Sequence, residues 1–252
     1  MPVRAFDHMQ RAARVLIFVM VLVFVTSGLN FALLRYPEQL IPSGLTGIPV
    51  QPDGLVSIYL RPQQPAMWLM LVCLWLALLI FATRQIGRDQ QGRAEGSLAD
   101  QALLSAALGA GAIWPWISTR APVTGFLLCV LMLLALITAT GRTHSDGRLG
   151  RNPLVAVFTG WATILTFAAF ASFLSDFTPV PIELSMLVSA LLTCAAAIAI
   201  QMRMPATPTY TITVIFAFLA TAATSIEASP PVAVIAVLSI AALTFLLVRV
   251  TS

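Results

Sequence analysis

The residues best equipped to engage a ligand in this chain are aromatic. Trp68 and Trp75 stand seven apart, two helical turns, and so share one face of a helix, while Trp114, Trp116 and Trp161 follow further along. An indole presents a broad apolar face and one N–H donor, so converging tryptophans would build a cavity for a flat hydrophobic molecule. Asn30, in SGLNFALL, is the most polar side chain inside an apolar run, together with Gln201 at the end of another. An amide in such a place needs a partner helix or a ligand, and the partner helix is the commoner answer. Trp116 also fits the aromatic belt at a bilayer surface, since Pro115 precedes it and Arg120 follows in GAIWPWISTR.

Groups for catalysis are scarce. Chemistry or ion handling inside a membrane requires ionisable side chains at depth, and the apolar runs contain none. His8 and His144 fall in polar segments, so neither a pair of haem-binding imidazoles nor a serine–histidine dyad is expected. Cys73, Cys129 and Cys194 each sit within an apolar run without disulfide or zinc spacing, and read as small buried side chains. Asp176, Glu183 and Glu227, with Arg61 and Arg120, could line a vestibule, although solvated loop charge is the plainer reading. The expectation is a binding protein that is not an enzyme and holds no metal.

The elements that must position these residues follow from composition. Of 252 residues, 59% are hydrophobic and 10% charged, against about 45–50% and about 25% in soluble domains. Apolar windows near the length of about 20 residues that crosses a bilayer fall at 15–34, 66–83, 102–119, 121–140, 153–175, 184–202, 209–226 and 231–248. Backbone groups in lipid must be satisfied within each segment, and the alternation of a barrel is absent, so the windows predict helices. The fold class is therefore all-α: a polytopic transmembrane bundle of about eight spans, forming a single integral membrane domain over 1–252. The first window follows Arg4, Arg11 and Arg14 as a signal peptide would, but VTSGLNFALL offers no small-x-small cleavage site, so it reads as a retained helix.

All fourteen basic residues are arginine, and the net charge of +4 serves best as a topology signal. With the N-terminus in the cytoplasm, eleven arginines lie inside and only Arg35, Arg61 and Arg120 outside, which predicts an inner-membrane protein with both termini cytoplasmic. No soluble basic face exists for nucleic acid. The loop 35–65 carries prolines at 37, 42, 49, 52 and 62 and glycines at 44, 47 and 54, a composition suited to turns and hardly to a helix. Its apolar stretches LIPSGLTGIPV and LVSIYL suggest a lid packed over the outer face.

Several stretches carry a family likeness. RNPLVAVFTGWATILTFAAFASFL resembles the long form of the TspO/MBR family, the tryptophan-rich sensory or translocator proteins, with an arginine and proline before a glycine–tryptophan–small–threonine helix. QQPAMWLMLVCLWLALLIFATRQ, GAIWPWISTRAPVTGFLLCVLMLLALI and TPTYTITVIFAFLATAA are similar to other helices of that family, in the same order. The matching positions are Pro65, Trp68, Trp75, Trp114, Gly160, Trp161 and Thr163. The sequence departs from the family where VIFAFLA lacks a tryptophan and where GAGAIW and LTFAAF lack an asparagine. The resemblance implies binding of porphyrins or other hydrophobic ring compounds and a sensory or regulatory role.

Residues and resemblance together predict a ligand site made by Trp68, Trp75, Trp114, Trp161, Asn30 and Thr163, with a non-covalent tetrapyrrole or an isoprenoid as guest. The expected partners are the lipid bilayer and that hydrophobic small molecule, with a homodimer or a larger membrane complex as a further association. A different reading makes the chain an accessory subunit docked on such a complex through small-residue faces. A transporter is the third, although the inverted repeat that often marks one is not seen.

Overall fold

The computed structural model describes residues 2–33, 55–60, 65–89, 97–118, 120–141, 149–204, 207–226 and 229–251. These form nine α-helices: α1 Pro2–Leu33, α2 Leu55–Leu60, α3 Pro65–Asp89, α4 Leu98–Ser118, α5 Pro122–Gly141, α6 Pro153–Phe177, α7 Ile182–Arg203, α8 Pro208–Ser225 and α9 Pro230–Thr251. A short 3-10 turn, Leu149–Arg151, leads into α6. Pro65, Pro122, Pro153, Pro208 and Pro230 each open a helix, the place where a missing N–H costs nothing and a fixed φ helps. Asn152 caps α6 by accepting a hydrogen bond from the Leu154 N–H at 3.0 Å. Ser97 and Asp100 form a reciprocal box at the start of α4, with N···O distances of 3.0 and 3.2 Å.

The all-α expectation holds. Eight helices are long, and seven of them, all but α4, are long and apolar enough to cross a membrane. The sequence reading counted α4 as an eighth apolar span. Asp100, Gln101 and Ser105 lower its hydropathy, and all three are buried. α4 and α5 turn back on each other through Arg120 and Ala121, whose N–H groups both reach the Ile117 carbonyl, at 2.9 and 2.8 Å. Gly125 permits the tight turn, because a Cβ there would lie 2.9 Å from the Ser118 Cα. Each arm of this hairpin runs for about 30 Å at about 1.5 Å per residue, the thickness of a bilayer core.

α6 is the axis of the bundle. Val155, Phe158, Trp161, Ile164, Leu165 and Ala168 are all buried, and α6 packs against α2, α3, α5, α7 and α8. Thr166 Oγ1 bonds the Cys129 carbonyl of α5 at 3.1 Å, and Ser189 of α7 bonds the Phe167 carbonyl. Gly160 brings α8 close: a Cβ there would lie 3.0 Å from both the Tyr210 carbonyl and the Thr213 Cβ. Small residues let backbones approach where packing, and no hydrophobic difference from lipid, holds helices together. α1 and α9 lie at the rim. Val15, Leu16, Val19, Leu22 and Val23 of α1 and Val234, Val237, Leu238 and Phe245 of α9 are exposed, as lipid-facing side chains are.

Two further expectations change. The loop 35–65 does contain a helix, α2, whose Leu55 and Tyr59 pack into the bundle in place of the turns its proline content suggests. Residues 34–54 and 61–64 of that loop, with His144, lie outside the described residues. Charge also enters the helices more deeply than the apolar windows implied. Arg14 is 5% and Asp100 1% exposed, because α1 and α4 extend beyond the windows and carry the polar residues just outside them into the packed bundle.

Candidate functional site

The inward stripe of α1 repeats at four and three residues: Ile17, Val21, Phe24 and Phe31 are buried, with the half-buried Gly28 between the two phenylalanines. That spacing keeps one seam facing the bundle. Phe24, at its centre, meets Phe158 edge-on with ring centroids 5.4 Å apart, and Trp161 edge-on at 5.6 Å. Phe158 and Trp161 in turn lie nearly parallel, 6.2 Å apart. Glycine on each side gives these rings room. A Cβ on Gly111 of α4 would lie 2.7 Å from Phe24 Cε2, and one on Gly28 would lie 3.3 Å from the indole nitrogen of Trp75 on α3. Trp114, one turn beyond Gly111, is fully buried.

Trp75 of α3 and Trp161 of α6 therefore border the same stretch of α1, and Trp114 of α4 is buried in the same core. Trp68 shares the face of Trp75 two turns away, and is half-buried against the core. Trp116 is tied to α1: its indole N–H donates to Ser27 Oγ at 2.8 Å, Ser27 donates to the Ala112 carbonyl at 2.6 Å, and Phe31 meets the ring edge-on at 5.5 Å. The other two residues lie elsewhere. Asn30 is exposed on α1, and Thr163 turns to α8, donating to the Thr159 carbonyl and pairing with the Tyr210 hydroxyl at 3.1 Å.

The electrostatic feature of the cluster is what its indoles lack. Trp114 is 0% and Trp161 4% exposed, yet neither Nε1 has a hydrogen-bond partner among the described residues. An indole N–H held out of water without an acceptor costs about 1–3 kcal/mol. The rings packed against Trp161, Phe24 and Phe158, are hydrocarbon, and both indole donors are buried in an apolar core. Among the described residues, no group of three histidine, cysteine or acidic side chains is gathered to hold a metal. Among the described residues, Gln85 Oε1 on α3 and Asp100 Oδ1 and Gln101 Oε1 on α4 are also buried without a hydrogen-bond partner.

Sequence reasoning missed Phe24 and Phe158, which complete the cluster, and the glycines facing them. The four–three repeat of α1 was the available signal, since it places Phe24 and Gly28 on the buried seam. Nothing local marks Phe158 among the apolar residues of α6.

The family model described as TSPO-like protein matches residues 57–249. No curated protein and no solved structure matches the chain. The matched region begins within α2, so α1, with Phe24 and Gly28, lies outside it.

Proposed function

Because the chain belongs to the TSPO-like protein family and is a multi-pass membrane protein, we propose that it binds an apolar ring compound, porphyrin- or isoprenoid-like, against Trp75, Trp114 and Trp161. The observation that carries this reading is the pair of buried indole N–H groups, on Trp114 and Trp161, without acceptors. A guest with carbonyl, ether or carboxylate oxygens would supply them, and its rings would replace the edge contacts that Phe24 now makes. The guest reaches the cluster by displacing Phe24, and the readout of a sensory role would be the resulting shift of α1. The activity is binding without bond-making, and the chain sits in the inner membrane with both termini in the cytoplasm, as its arginine distribution favours.

The test is titration of the detergent-purified protein with protoporphyrin, following tryptophan emission. Saturable quenching that weakens in Trp161→Phe and Trp114→Phe is expected. Quenching that rises linearly with porphyrin, equally in all three proteins, removes the reading.

A further inference from the structure

A cavity of about 20 Å³ lies where α2 closes over α6, α7 and α8. Tyr59, Ser189, Thr193 and Thr221 bring hydroxyls to it, and Leu55, Ile164 and Phe218 supply apolar wall. No tryptophan lines it, although Ile164 lies one turn beyond Trp161 on α6.

The hydrogens of these four hydroxyls are already committed. Ser189 donates to the Phe167 carbonyl, Thr193 to the Ser189 carbonyl at 2.7 Å, and Thr221 to the Ala217 carbonyl at 3.0 Å. With the Thr221 hydrogen on the Ala217 carbonyl, the phenol is the donor in the 2.6 Å contact between Tyr59 and Thr221. In that arrangement lone pairs face the cavity, and the pocket favours a guest that donates.

Tyr59 shows what shape that guest has. It is a ring with one hydroxyl, 4% exposed, delivered by a six-residue helix. We propose that the space held by Tyr59 is a binding site for a hydroxyl-bearing ring compound, a phenol or a comparable cyclic alcohol, and that α2 is its resident occupant. The incoming hydroxyl donates to Thr221 Oγ1 as the phenol does, and the ring takes the wall of Leu55, Ile164 and Phe218 once Tyr59 leaves. With Tyr59 seated, the remaining 20 Å³ suits one water-sized donor. This site is independent of whether the tryptophan cluster binds anything.

The probes are 2-naphthol and its methyl ether, which share a ring and differ in the donor. In Tyr59→Ala, 2-naphthol is expected to bind saturably and to raise the melting temperature, with up to about tenfold preference over the ether, the worth of one hydrogen bond. Thr221→Val in that background abolishes the preference. Should Tyr59→Ala not fold, the unaltered protein carries the test: 2-naphthol, and not the ether, speeds hydrogen exchange across residues 55–60. Equal affinity for the two probes, or exchange that neither changes, overturns the proposal. Loss of naphthol binding in Trp161→Phe does so too, because it moves the probe to the aromatic cluster.

Discussion

Phe24 of α1 stands edge-on to Trp161 of α6, with ring centroids 5.6 Å apart and planes at 88°. The contact joins a helix outside the family-matched region to the central helix inside it. It also covers one of the two indoles whose N–H lacks an acceptor. Under the proposed function, a ligand drawn to that N–H would compete with Phe24 and so couple occupancy to the seating of α1.

Trp161→Phe keeps the ring contacts and deletes the unpartnered donor. Melting temperature should stay level or rise, since a buried N–H without a partner costs about 1–3 kcal/mol. Affinity for protoporphyrin should fall by up to about tenfold, the value of one hydrogen bond. Thermal melts beside emission titrations on the same preparation check both halves, and a variant that melts lower yet binds as before contradicts this assignment.

Gly111→Val should loosen α1. Its Cβ would fall 2.7 Å from Phe24 Cε2 and 3.1 Å from Met132 Sδ, and overpacking of this kind costs about 1–3 kcal/mol. Gly109→Ala, two residues earlier, meets nothing within 4 Å and should be neutral or stabilising by up to about 1 kcal/mol through helix propensity. Denaturation of the two variants side by side separates crowding from propensity.

Ser27→Ala removes the link between Trp116 and the Ala112 carbonyl. Both hydrogen bonds are lost and an indole N–H is left searching, for about 1–2 kcal/mol. A lower melting temperature together with a red shift of Trp116 emission, read in a protein where the other tryptophans are phenylalanine, is the expected result.

Alkaline pH should weaken the packing of α2. Burial pushes the Tyr59 phenol up to about 12 from its ordinary value near 10. The folded state therefore holds this proton more tightly than the unfolded one. The contribution is complete below the unfolded value of about 10 and disappears as pH rises through the folded value. Melts between about pH 10 and about pH 12, the window those two values bound, should fall more steeply in the unaltered protein than in Tyr59→Phe.

The sequence by itself determined that this chain lives in a membrane as helices, and nearly where the later ones begin and end. The window 184–202 became Ile182–Arg203, and 209–226 became Pro208–Ser225, because lipid forces each backbone segment to satisfy itself and proline marks where it starts. The helix pattern also placed Trp68 and Trp75 on one face. Tertiary packing alone decided which residues meet. Asn30, polar in an apolar run, faces outward, whereas Phe24, indistinguishable from its lipid-facing neighbours by type, reaches Trp161 through the gap left by Gly111. Thr163 and Trp161 are two apart on α6 and so point to different helices. Which hydroxyl donates to which oxygen around Tyr59 is likewise a matter of neighbours some hundred and sixty residues apart, as with Thr221 at a separation of 162. Membrane insertion is a property of each segment's own composition, readable locally, while a site arises from the rotation of several helices about their axes, which their mutual packing sets.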